Sequence, residues 1–463
     1  MTRAPFADAR SAAQTVYEAI RDMPIVSPHG HCDPRWWATD AAFPDPTELL
    51  IIPDHYVFRM LYSQGVSLED LGVGVPAEDR DPRAIFRLFA KHWPAFLGTP
   101  SRQWITHTLS NTLGIDIELT AQAADQVYDA IEARLADPAF APRALFDAMP
   151  IEVLATTDAA LDPLDHHAAI KASGWAGRIV PTFRPDDVLN PAKPGHAANL
   201  RALGAMTGQD TGRYAGFLAA LQDRRAAFKA MGATATDHDV PDLLTNWLAR
   251  SQVEALYDQA LRGTLSVDDA LRFYGHMLIE MAQMSAEDGL VMQIHAGSQR
   301  STNQALLDRY GTDMGADIPH AVDWVHGLSA LLNRVGNTRG FRLIAFTLDE
   351  ASYARELAPM AGHWPALCLG PPWWFHDSPN GIRRYFDQVV ETAGYANLAG
   401  FNDDTRAFLS IPARHDMWRQ GVSQHLADQI DQGVLRLSDA MELAPKLAHD
   451  LALKAYRLCE DGV

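Results

Sequence analysis

Eight short apolar runs, each closing on a polar or ionisable cluster, constrain this chain more than any other feature of its sequence. They cover 25–31, 151–157, 178–183, 233–237, 290–295, 341–348, 366–370 and 398–402. Most are separated by segments with helical spacing. Phe217, Leu221 and Phe228 mark a helix that Gly232 stops, and 320–335 reads as another, closed by Gly336. Leu447, Leu451, Ala455 and Leu458 follow the 3.6-residue period of a terminal helix. Strands that alternate with helices are buried on both faces of a parallel sheet, and eight of them predict a closed (β/α)8 TIM barrel. The runs 233–237 and 366–370 carry the least pattern, being poor in branched residues or short.

One gap breaks the rhythm. Residues 32–150 hold no convincing strand pair, while Ala123, Val127, Ile131 and Leu135 keep helical spacing up to Pro138. The expectation is an α/β fold, a single barrel over 1–463 with a mostly helical insertion at 32–150, on the face where barrel active sites lie. A barrel needs about 250 residues, so this 119-residue insertion accounts for much of the surplus in a 463-residue chain.

Ionisable residues gather where the strands should end. His29 and His31 close the first, Asp158 the second, and Arg184 and Asp186 follow the third. Asp237 and His238 close the fourth, His295 the fifth, and Asp349 follows the sixth. Trp373 and Trp374 follow the seventh, and Asp403, Asp404 and Arg406 the eighth. A barrel brings all these positions to one mouth, and that convergence outweighs any single motif.

Taken alone, the motifs are weak. With 18 histidines in 463 residues, chance supplies about 0.7 His-x-His triplets. On a strand, however, positions i and i+2 share a face, so two imidazoles there can hold a divalent metal that a distant carboxylate such as Asp404 completes. Arg184 and Arg406 are candidate anion clamps, since a guanidinium recognises a carboxylate bidentately. Asp237 is either a general base or a structural acceptor. His295 is a metal ligand, an acid–base group or a core histidine. An aromatic cluster such as Trp373-Trp374-Phe375 is more often packing than a sugar wall, and Cys32 beside His31 does not make a nucleophile–base pair.

Charge and cysteine usage narrow the partners. With 39 basic against 58 acidic residues the net charge is −19, which repels nucleic acid and anionic membrane. A small anion binds only if Arg184 and Arg406 reverse that field locally. No apolar run reaches a membrane span, residues 1–23 hold no apolar h-region, so export is not expected, and three widely spaced cysteines suit a reducing cytoplasm.

Ten stretches resemble one family. They are MPIVSPHGH (23–31), DHYVFRML (54–61), EVLATTD (152–158), DPLDHH (162–167), VPTFRPD (180–186), MGATATDH (231–238), MQIHAG (292–297), GPPWWFHD (370–377), FNDDTRAFLS (401–410) and ARHDMW (413–418). They are similar to the uronate (glucuronate) isomerase branch of the amidohydrolase superfamily, in the family's order over nearly the whole chain. The resemblance implies that His29, His31 and Asp404 hold one divalent metal, usually zinc. It places Tyr56, Asp237, His295 and Arg406 at the chemistry, and Arg59, Arg184, Trp373 and Trp374 with Arg406 around the sugar. Where related hydrolases carry a sixth-strand histidine this chain has Thr347-Leu348-Asp349, which points to one metal at most. Departures lie in Ser-Pro-His-Gly-His-Cys at the first strand and Gly-Pro-Pro-Trp-Trp after the seventh, where the family more often reads Asp-Tyr-His-Cys-His-Leu and Gly-Ser-Gly-Trp-Trp. The implied activity is aldose–ketose isomerisation of a small uronate; a mononuclear, lactonase-like hydrolase is the alternative. A homo-oligomer is compatible with the sequence.

Overall fold

The computed structural model describes residues 9–52 and 54–459. Its main sheet contains β1 (Ile25–Ser27), β2 (Ile151–Ala159), β3 (Ile179–Arg184), β4 (Ala235–Val240), β5 (Val291–Ala296), β6 (Leu343–Thr347) and β7 (Leu367–Leu369). The seven strands pair in chain order, every pair parallel, with helices between them. This is the (β/α)8 progression. The expected eighth strand, 398–402, is reduced to one bridge between Leu398 and Leu369. Gly400 explains why: it has φ +77°, incompatible with an extended strand, and a Cβ there would lie 2.5 Å from the Ala452 backbone nitrogen. The segment still returns to the first strand, because the His31 N–H donates to the Thr405 carbonyl at 2.9 Å.

The interior of the barrel is a single buried cluster. Val26, Val153, Ala155, Val180, Ala235, Val291, Ile344, Phe346, Cys368 and Ala399 meet Ala452, Ala455, Tyr456 and Leu458 from the C-terminal segment. That segment plugs the end opposite the mouth. Arg457, at φ +56°, donates to the carbonyls of Gly289 and Gly340, which precede β5 and β6.

Between β1 and β2 the described residues form helices and no strand. Their starts are written in the sequence: Asp45, Asp54, Asp81 and Thr99 each accept backbone N–H groups of the turn that follows. Pro46, Pro82 and Pro100 occupy first helical positions, where a missing N–H costs nothing. Trp37, Phe58, Phe86, Phe89, Trp93 and Phe96 build a core here that Phe408 joins from beyond β7.

Outside the barrel, the helix expected around Phe217 runs over Tyr214–Ala230 and that at 320–335 over Trp324–Val335. The terminal pattern is only partly an α-helix, Leu451–Ala455, because Leu447 sits on a preceding π-turn, Lys446–Asp450. Among the described residues no helix is long and apolar enough to cross a membrane.

Period-two alternation corrects several expected mouth residues. Thr157 lines the cavity at the mouth and its neighbour Asp158 does not, and the same holds for Asp237 against His238; Asp404 enters over Asp403 by a loop turn instead, at φ +40°. Asp349 is also outside, accepting the Ala351 N–H at 3.1 Å. Asp158 points towards the helix layer, where it accepts from Thr156 Oγ1 at 2.7 Å and lies 3.7 Å from His167. Burial pushes its pKa up to about 7, so the folded state keeps a proton that an unfolded aspartate loses near pH 4. Stability from this group is full below pH 4 and is lost as pH rises to about 7. Asp158→Asn therefore gains on the native chain by a few kcal/mol at most over that interval, read as the difference in denaturant midpoint at pH 4.5 and 7. A difference that stays flat contradicts the assignment.

Candidate active site

A cavity of about 710 Å³ opens at the C-terminal ends of the strands, where barrel enzymes carry their chemistry. His29 and His31 lie beyond the end of β1 rather than on it, so the shared-face argument does not apply directly. Both nevertheless reach Asp404, His29 Nε2 at 3.4 Å and His31 Nε2 at 3.0 Å from Oδ1. One ligand atom from each of the three falls within 4.8 Å of the others, and a second set, His29, Asp237 and His295, meets the same limit.

The chemistry of the first set fits a divalent cation. Asp404 Oδ1, which both imidazoles face, is buried and has no hydrogen-bond partner, and imidazole with carboxylate is a donor set suited to zinc and its neighbours. Trp373 Nε1 donates to the other oxygen of Asp404, fixing its orientation as outer-shell donors do. Burial opposes ionisation of Asp404, but the imidazoles beside it hold its pKa well below the carboxylate range. Asp404 and Trp374 are non-glycine residues at φ +40° and +50°, a strain tolerated where surrounding structure fixes a functional geometry.

Asp237 extends from within β4, whose observed end is Val240 rather than the expected 237. Its Oδ1 lies 2.7 Å from His295 Nδ1 and its Oδ2 3.5 Å from Arg184 Nε. Burial would raise this carboxyl, yet His295, Arg184 and His29 hold it well below its ordinary value. Burial also lowers the pKa of His295, so a neutral imidazole faces a carboxylate. Nδ1 then carries the hydrogen and donates it, which leaves Nε2 as a lone pair. That nitrogen is buried and has no hydrogen-bond partner. The ring is clamped between Phe346, stacked at 4.1 Å, and His29 at 4.7 Å.

The match to known proteins decides the family. A family model for glucuronate isomerase matches residues 1–457. The chain belongs to the glucuronate isomerase family. A uronate isomerase of Rhizorhabdus wittichii is 55% identical over 97% of this chain and 96% of its own length. The crystal structure of glucuronate isomerase from Caulobacter crescentus superposes with a TM-score of 0.96 at 48% identity, covering 98% of this chain and 95% of that one. Uronate isomerase from Thermotoga maritima gives 0.91 at 27% identity, over 96% and 97%. The chain is an isomerase, and the hydrolase alternative falls away.

Of the residues expected at this isomerase site, the cavity is lined by His29, His31, Tyr56, Arg184, Asp237, His295, Trp373, Trp374, Asp404 and Arg406. Arg59 is not among them. It is exposed and stacks its guanidinium on Phe375 at 4.6 Å. Burial pushes the Tyr56 hydroxyl well above its ordinary pKa, so it keeps its proton.

Several lining groups escaped the sequence reading, Asp239, Arg300 and Arg414 among them. Asp239 lies on the unrecognised end of β4, Arg300 follows β5, and Arg414 opens towards the cavity from helix Ile411–Asp431. Arg300 bonds Asp239 at 3.0 Å and Asp317 at 2.9 Å while lying 4.7 Å from the centre of a Trp374 ring. Their signal was positional, five residues beyond His295 for Arg300, and a strand read two residues longer would have included Asp239.

The expected local positive field is corrected by these neighbours. Eight aspartates line the cavity against four arginines and one lysine. Arg184 is already shared by Asp186 at 2.9 Å, Asp237 at 3.5 Å and Asp239 at 3.9 Å. Arginine alone therefore does not make this mouth attractive to an anion.

Proposed function

We propose that this isomerase interconverts D-glucuronate with D-fructuronate and D-galacturonate with D-tagaturonate through a cis-enediol. The observation carrying the reading is the buried Asp237–His295 pair at 2.7 Å, with the free His295 nitrogen turned from the pair and open to another partner. The C2 hydrogen of the open-chain aldose is acidified by the C1 carbonyl. Asp237 takes it as a proton and returns it to C1, while the proton of the C2 hydroxyl passes to the C1 oxygen. A carboxylate this stabilised is a weak base in water. Closing the cavity on a negatively charged sugar and expelling water raises its proton affinity. Tyr56, protonated at neutral pH, donates to the oxygen on which charge develops. Arg184 and Arg406 hold the C6 carboxylate and hydroxyls of the sugar.

His29, His31 and Asp404 would hold a zinc ion, which supplies carbonyl polarisation when bound. We also assign the enzyme to the cytoplasm, on the strength of three unpaired cysteines in keeping with a reducing compartment. Its partners are small uronates, with neither nucleic acid nor membrane, and a homo-oligomer is compatible with this reading.

Incubation with D-glucuronate in D₂O, followed by NMR, tests the reading. Ketouronate should form, with deuterium entering at the carbon that receives the proton. Turnover of a lactone panel without turnover of uronates would overturn it.

A further inference from the structure

A uronate brings a full negative charge into a cavity whose arginines are already engaged. Arg184 is shared by the buried Asp186 and Asp237, and Arg300 by the partly buried Asp239 and Asp317. Arg414 lies buried against Asp377 and the Asp403 carbonyl. Displacing a buried carboxylate from its cation leaves it unpaired in a dry site, which is costly.

Arg406 differs. Among the described residues its one carboxylate neighbour is Asp313, at 3.4 Å, and the two side chains are 40% and 47% exposed. A carboxylate released from such a pair regains its water, so exchange for another carboxylate is nearly balanced. Lys193 is also singly paired, with Asp187 at 3.3 Å, but an ammonium lacks the planar fork that matches a carboxylate.

The backbone puts Asp313 where it is. It has φ +66° and lies between Gly311 and Gly315, both also at positive φ. A Cβ on Gly315 would lie 2.8 Å from the His55 carbonyl oxygen, so the loop seats directly on helix His55–Ser63. A non-glycine residue in this left-handed region carries strain, and strain of this kind collects at ligand clamps.

We propose that Asp313 is a specificity-determining residue whose carboxylate holds Arg406 until the C6 carboxylate of the substrate replaces it. This rests on the assignment of Arg406 to substrate. A neutral sugar cannot make the exchange and leaves the pair closed, whereas an acid sugar takes the guanidinium and sends Asp313 to solvent.

Asp313→Asn tests the exchange, since asparagine is among the residues that best tolerate φ > 0. The KM for D-glucuronate should fall about two- to fivefold, the size an exposed ion pair reaches, and acetate should inhibit more strongly. Asp313→Gly, which relieves the strain, should do the same. An unchanged KM overturns the proposal, as does a raised one, which would mark Asp313 as an acceptor for a sugar hydroxyl. In an Arg406→Met background the Asp313 substitution should have no effect on KM. If Arg406→Met itself leaves KM and kcat unchanged, the assignment of Arg406 to substrate fails. If it raises KM while Asp313→Asn does not lower it, only the exchange fails.

Discussion

Asp237→Asn abolishes turnover of D-glucuronate and, with it, exchange of the C2 hydrogen with solvent. The expected loss in kcat is at least about 10³-fold, the upper part of the range for a positioned proton-transfer group. The amide keeps the shape of the side chain and still accepts from His295 Nδ1, which lies 2.7 Å from Oδ1 in the native site. What it loses is the ability to take a proton. Asparagine also removes the charge that Arg184 faces at 3.5 Å, but Asp186 remains at 2.9 Å to hold that guanidinium. The fold should therefore survive, and circular dichroism with a thermal melt checks that it does. Solvent exchange at C2 that persists in a folded variant would identify another group as the base.

Arg184→Met should have the larger effect on the molecule as a whole. One guanidinium stands among Asp186, Asp237 and Asp239, and it counters the burial that pushes Asp186 up to about 6. Without it, the buried Asp186 and Asp237 and the partly buried Asp239 face one another, and among the described residues the one guanidinium still paired with any of them is Arg300, 3.0 Å from Asp239. Removing one partner of a buried ion pair costs about 3–5 kcal/mol. Chemical denaturation at pH 7 should show a loss of that order, and kcat/KM should drop with it, since the same side chain is assigned to the sugar. A variant as stable as the native chain would mean that the three aspartates are screened by something other than Arg184.

How much of this was legible in the sequence depends on the element. The apolar runs that became β1 to β7 were visible because a strand buried on both faces must be apolar along its length. Helix starts in the insertion were visible too, because capping aspartates and first-turn prolines act locally. The run 398–402 has a strand's composition, yet Gly400 is pressed against Ala452, a contact 52 residues away that no local pattern encodes. Likewise β4 was read as ending at Asp237, although it continues to Val240. The run His238-Asp239 is polar, and a polar strand end is written by the cavity it lines rather than by a core.

The sequence by itself determined the alternation of strands and helices, the insertion after β1, and the family, because backbone preference, burial and motif order are properties of neighbouring residues. Only the tertiary structure decided which of two adjacent ionisable residues enters the cavity, as with Asp237 over His238 and Asp404 over Asp403. Only it showed that Arg184 is shared by three aspartates and that Arg406 is held by Asp313 alone among the described carboxylates. Charge acts through space, falling off with distance rather than with sequence separation. The residues that set the field at this mouth come from six or more separate segments of the chain.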